Sequence, residues 1–205
     1  MRVAIVGATG AFGSALARRL TEAGTEVIVG SRDPDRAAAT AIEVGAAQGR
    51  ENAEAVQGAD LVVLSVDASA ALSTSVELAD AIGETPVLSV ASQIRFENGA
   101  ARPTDEPISL AERLQHVLHG PVVAGLHSLA ASSLAAGKAE GDALVCGDDE
   151  PAKAAALELA AMLVTGRALD AGPLANARAL EAMTAVIVNL NRRYRGHAGL
   201  RVEGL

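Results

Sequence analysis

Three glycines and three polar side chains carry the first chemical signal in this sequence. Gly7, Gly10 and Gly13 stand in a G-x-x-G-x-x-G spacing directly after the apolar run Val3 to Val6. Ser14 to Leu20 then reads as a helix. Strand, glycine turn and helix in that order make a phosphate-binding crossover. Gly7 permits the tight turn, Gly10 lets backbone approach a pyrophosphate, and Gly13 lets helix pack on strand. The anion would sit at the positive end of the helix, among N–H groups without intrahelical partners. Thr9, Ala11 and Phe12 lie in the same turn, and Thr9 adds a hydroxyl donor.

The end of the next strand, Glu26 to Gly30, selects the nucleotide. An NAD site commonly carries Asp or Glu at this point, bonding the ribose 2′-hydroxyl. Here the sequence reads Gly30-Ser31-Arg32, with Arg36 one turn into the following helix. A hydroxyl and two guanidinium groups suit the 2′-phosphate of NADP, which arginine can grip bidentately. Asp33 is the expected N-cap of that helix and Pro34 its first residue.

Other chemistries find little support. Tyr194 has no lysine four residues on, so the Tyr-x-x-x-Lys pair of short-chain dehydrogenases is absent. His116 and His119 read as surface residues at a helix end, and no Cys/His/Glu cluster has the spacing of a metal site. No serine occupies a nucleophile elbow. Hydride transfer between two organic cofactors asks the protein mainly for orientation, which a crevice nearly free of acids can supply. No catalytic acid or base is expected.

Stepping outward from these residues, the chain must supply a sheet that holds them. Apolar runs at Asp60 to Val66, Pro86 to Val90, Pro121 to Leu126 and Ala143 to Cys146 read as strands, with a short one at Arg167 to Asp170. Helical periodicity covers Ala68 to Ile82, Ser109 to Leu118, Glu150 to Leu163 and Pro173 to Tyr194, with a short helix at Asn52 to Gln57. Residues 93–106 read as a long loop, and Ser128 to Gly141 as loop or short helix. Alternation of this kind predicts an α/β fold: a Rossmann-type doubly wound parallel sheet with a small C-terminal helical extension. The 205 residues fit one NADP-binding domain, residues 1–205, with helix and tail 173–205 completing the substrate site.

Composition narrows the partners. A net charge of −8 argues against nucleic acid and anionic membranes. The lone cysteine, Cys146, excludes an internal disulfide and fits a reducing cytoplasm. No apolar run approaches membrane-spanning length. A homo-oligomer, most simply a dimer, is expected.

Several segments together resemble the NADPH-dependent F420 reductases, also called F420H2:NADP oxidoreductases. They are Met1 to Ile5 with Gly7-x-Thr-Gly10, Val29 to Arg32, Leu126-His127-Ser128, Val145 to Glu150, Leu169 to Leu174, and Ala198 to Arg201. The resemblance implies hydride transfer between nicotinamide C4 and C5 of the deazaflavin F420, with NADP and F420 as cofactors. It places NADP on Thr9, Ser31, Arg32 and Arg36, with Ser65 and Val66 bordering the cofactor. It places F420 near His127, Ser128, Leu200 and Arg201, His127 orienting the ring. Gly196 and Gly199 would let the tail fold back so that Arg201 meets the anionic F420 tail and Leu200 covers the ring. Two other readings stay open: an NADPH-dependent reductase of another acceptor such as a flavin, or a non-catalytic NADP-binding sensor.

Overall fold

The computed structural model describes residues 1–205. Its centre is an eight-stranded sheet in the order β10-β9-β8-β5-β4-β1-β2-β3. In chain order the strands of this sheet are β1 (Arg2–Val6), β2 (Glu26–Ser31), β3 (Gln48–Glu51), β4 (Leu61–Leu64), β5 (Val87–Ser89), β8 (Val122–Gly125), β9 (Ala143–Gly147) and β10 (Ala168–Asp170). A separate hairpin, β6 (Ile94–Glu97) and β7 (Ala100–Pro103), lies outside it. From β3 to β8 the neighbours are all parallel.

Alternation along each strand feeds two cores. Val3, Ile5, Val27, Val29, Leu61 and Val63 face one side. There they meet α1 (Ala11–Glu22), α2 (Pro34–Val44) and α7 (Glu150–Leu163). Ala4, Val6, Val62, Leu64 and Val87 face the other side. They pack with α4 (Ala68–Ile82), α5 (Leu110–Gln115) and the start of α8 (Ala177–Tyr194). Strands apolar on both faces are what a doubly covered parallel sheet requires. Two short helices, α3 (Asn52–Ala55) and α6 (Ala131–Ala136), complete the set.

The structure departs from the sequence reading in four places. First, β9 runs antiparallel to β8, and β10 follows β9, so the sheet is mostly rather than wholly parallel. Only the long-range partner of a strand sets its direction, and no local pattern reports it. Second, β3 was not foreseen: Gln-Gly-Arg-Glu has no apolar alternation, because this edge strand bonds only β2. Third, within the segment read as a loop over residues 93–106, Ile94 to Pro103 form the β6–β7 hairpin. Asn98 and Gly99, both at positive φ, turn the chain. An Asn-Gly pair is the strongest short hairpin signal, and polar flanking residues hid it. Fourth, the last helix begins at Ala177 after a 3₁₀ turn over Leu174–Asn176.

Candidate dinucleotide and acceptor site

The sheet order reverses between β1 and β4, and the crevice outside their carboxyl ends is where such sheets bind ligands. Gly7 leaves β1 at φ +84°, a left-handed turn that glycine adopts without strain. A Cβ there would also lie 2.7 Å from the Ser65 carbonyl oxygen. Gly13 is needed for contact rather than for torsion, since a Cβ would meet the Gly7 carbonyl oxygen at 2.6 Å. Gly10 caps α1 without a side chain. The N–H groups of Ala11, Phe12 and Gly13 find no acceptor within the chain. They are the orphan donors of a helix N-terminus, aimed at the crevice. Phe12 itself packs half-buried on the core.

A cavity of about 560 Å³ opens here. It gathers Gly7, Thr9 and Gly10 with Ser31, Arg32 and Arg36, and with Ser65 and Val66 from the end of β4. The sequence reading had named every one of these. Two carboxylates near the arginines, Asp33 and Glu51, are engaged in helix caps, while Asp67 lines the cavity without a capping bond or an ion pair. Asp33 caps α2 by accepting from the Asp35 and Arg36 N–H groups at 3.0 and 3.2 Å. Glu51 caps α3 through the Ala53 N–H at 3.1 Å. Ser31 accepts from the Asp33 N–H at 3.2 Å, which leaves its own proton to donate. Arg32 and Arg36 are exposed and in no ion pair. The rim of the cavity thus carries a hydroxyl and two guanidinium groups free of ion pairs, a fit for a phosphate monoester.

Asn52, Asp67, Ala70 and Thr74 also line the cavity and were missed from sequence. Asn52 is buried, and its Oδ1 has no partner. Its only sequence signal was a polar residue opening a short helix beside β2.

Along the same strand ends the chain buries a second set of polar groups. Ser89 ends β5, and His127 and Ser128 follow β8. All three are buried, and their side-chain polar atoms lack hydrogen-bond partners. Leu126, just before them, sits at φ +66° and is buried, a strained position for a side chain with a Cβ. Burial lowers the His127 pKa from 6.5 to about 4; the Ala91 backbone pulls weakly the other way without completing a hydrogen bond. The imidazole is therefore neutral near pH 7 and is no proton donor there. It lies under α8, against Ser128, Leu144, Leu180 and Met183.

The tail takes another position. Leu200 accepts from the Asp142 N–H through its backbone carbonyl at 2.6 Å, and the Val202 N–H donates to Asp142 at 2.9 Å. Arg201 lines a cleft at the β9–β10 edge with Asp142, Thr165 and Arg167. Hydrogen bonds from Val202 and Arg167 hold the Asp142 carboxyl at about 2. Leu200 and Arg201 are thus stitched to the loop before β9, and not gathered into the crevice that holds His127. Cys146 is buried in the second core, and burial pushes its thiol up to about 12. His116 points a ring nitrogen at the Glu112 carbonyl oxygen at 2.8 Å, and His119 lies 3.5 Å from Asp80. No helix is long and apolar enough to cross a membrane.

Fold and site together define a dinucleotide-binding protein of Rossmann type. Comparison with known proteins makes this specific. Residues 2–93 match the family described as NADP oxidoreductase, coenzyme F420-dependent. The F420-dependent NADP reductase of Methanothermobacter thermautotrophicus is 34% identical over all of this chain and 96% of its own length. That of Methanocaldococcus jannaschii is 31% identical over all of this chain and 99% of its own. The chain belongs to the F420-dependent NADP reductase family. Among solved structures, a candidate F420-dependent NADP reductase from Arthrobacter sp. FB24 superposes with a TM-score of 0.83 at 25% identity, covering 98% of this chain and 99% of that one. An imine reductase from Bacillus cereus reaches a TM-score of 0.66 at 17% identity, covering 95% of this chain and 62% of that one, and shares the fold alone.

Proposed function

We propose that the chain is an NADPH-dependent F420 reductase, moving a hydride between nicotinamide C4 and C5 of F420. When bound, NADPH supplies the hydride and F420 accepts it. The observation that carries the reading is the pair Arg32 and Arg36 beside Ser31, free of ion pairs at the rim of a crevice where Asp33 and Glu51 are engaged in helix caps. The kinship over full length supports the deazaflavin as acceptor.

In this reading Gly7, Thr9, Gly10 and the N–H groups of Ala11, Phe12 and Gly13 hold the pyrophosphate. Ser31, Arg32 and Arg36 hold the 2′-phosphate. Ser65 and Val66 support the nicotinamide side. His127 and Ser128 orient the acceptor, with Leu200 and Arg201 guarding its outer end from the tail. None of them moves a proton, so the chain contributes orientation and water exclusion. We assign it to the cytoplasm as a homodimer forming one domain, residues 1–205. Titration calorimetry tests the first step: NADPH should bind at least about tenfold more tightly than NADH, the worth of one charge-assisted contact. Equal affinities would remove the 2′-phosphate site.

A further inference from the structure

One face of α8 has no partner in the chain. On its inner side Leu180 and Ala185 are buried, and Asn189 holds the hairpin through both backbone groups of Ala101, at 2.8 Å each. On its outer side Ala179, Val186, Leu190 and Tyr194 follow one another at helical spacing. Val186 is 57% exposed, Leu190 39% and Tyr194 72%. The charges beside them are Arg178 and Arg193. Elsewhere exposed apolar side chains such as Ile42 and Val76 are scattered, which needs no explanation, whereas a stripe along one helix marks an interface.

The order of sizes along the stripe points to its occupant. The first half carries Ala179 and Ala182, and the second half carries Val186, Leu190 and Tyr194. A second copy of α8 laid antiparallel, with the two-fold axis at Val186, sets the large half of each helix on the small half of the other. Leu190 then meets Ala182, and Tyr194 reaches Arg178. A parallel pairing would set alanine on alanine and leave gaps. A cavity of about 470 Å³ opens beside the small half, lined by Pro103, Glu106, Ile108, Arg178, Ala179 and Ala182 among others. Glu106 has no ion-pair partner within the chain, and the second copy brings Arg193 toward it. Arg178 can lie over the incoming tyrosine ring.

We propose that α8 is the self-association surface of this protein, an isologous antiparallel seam centred on Val186, with the partner's Tyr194 seated in the cavity beside Arg178. This inference gives the dimer assigned above its surface. Isologous contacts require such self-complementarity, residue i on residue j and j on i. The inner face of the same helix carries Thr184, bonded to the His127 carbonyl, so the seam also braces the wall of the acceptor site.

Single-cysteine variants test the geometry, since Cys146 is buried and its thiol stays protonated. Val186→Cys should oxidise to a disulfide-linked dimer, because the two copies of an axial residue face each other. Ala179→Cys should not, because its copies lie about 20 Å apart along the paired helices. In sedimentation the parent should run at about twice 20.6 kDa, and Leu190→Glu at the single mass with an unchanged circular dichroism spectrum. Ala182→Leu should also weaken the dimer, although it adds apolar surface, because it meets Leu190 of the partner subunit. A parent that sediments as a monomer would overturn the seam and leave the face to another partner. Cross-linking of Ala179→Cys as readily as Val186→Cys would overturn its direction. F420 reduction by a monomeric parent would separate the failure of the seam from any failure of the functional reading.

Discussion

Thr184 donates its hydroxyl proton to the backbone carbonyl of His127 at 2.9 Å. The Thr184 hydroxyl oxygen itself lies 2.7 Å from the Ser92 hydroxyl. With the single proton of Thr184 spent on the carbonyl, Ser92 must be the donor in the second contact. One side chain on α8 thus ties the segments after β5 and β8 together where the acceptor is proposed to bind.

Thr184→Val keeps the shape and removes both bonds. It should cost roughly 1–3 kcal/mol of stability, because a carbonyl and a hydroxyl lose their partner. The KM for F420 should rise while that for NADPH stays. Thr184→Ser should restore both. A valine variant with parental melting and parental kinetics would show that the tie is idle.

The glycine loop yields a paired test. Gly13→Ala drives a methyl group into the Gly7 carbonyl and the Ala8 backbone at 2.6 and 2.8 Å, so the protein should melt earlier. Gly10→Ala meets nothing nearer than 3.4 Å, so melting should hold while NADPH affinity falls. Thermal melts with and without NADPH read both. A stable Gly13→Ala protein would mean that α1 does not press on the loop as described.

His127 sets a pH dependence whose sign follows from its burial. Its pKa is lowered from 6.5 to about 4 in the folded protein. Above the unfolded value both states are neutral and the full stability is present. As pH falls from 6.5 toward 4 the unfolded chain takes the proton first, and up to about 3 kcal/mol is lost. His127→Phe should flatten this part of the denaturation curve relative to the parent. Turnover should be level between about pH 6 and 8, since a neutral ring has no proton to give. A bell-shaped rate profile that vanishes in the variant would instead make His127 a general acid.

The tail invites a deletion. Removing residues 199–205 breaks the Asp142 contacts with Leu200 and Val202. If the tail guards the acceptor, the KM for F420 should rise far more than that for NADPH, and the parent should show a salt-dependent F420 KM. Unchanged F420 kinetics in the truncated protein would confine the tail to clamping the β9–β10 edge.

Much of this was legible in the sequence where the signal is local. The glycine spacing, the Ser31–Arg32–Arg36 group and the Asp33 cap each depend on neighbours within a few residues, and the structure gathers them in one crevice. What escaped depends on distant partners. The direction of β9 is set by β8, about twenty residues away, and β3 is defined only by its bonds to β2. Asn52 enters the cavity because α3 happens to pack beside Gly30. The tail is the clearest case. Its glycines allowed a fold-back, but Asp142, in the loop before β9 and 60 residues from Val202, decides where it lands.

Hydride transfer with C4-deuterated NADPH tests the central claim most directly. Mixed with oxidised F420, the protein should bleach the deazaflavin and deliver deuterium to its C5. NADH at equal concentration should be at least about tenfold slower, and FMN and FAD should not be reduced. Arg32→Ala should close most of the gap between NADPH and NADH. No deuterium in F420, with FMN or FAD reduced instead, would contradict the account and give the crevice to another acceptor.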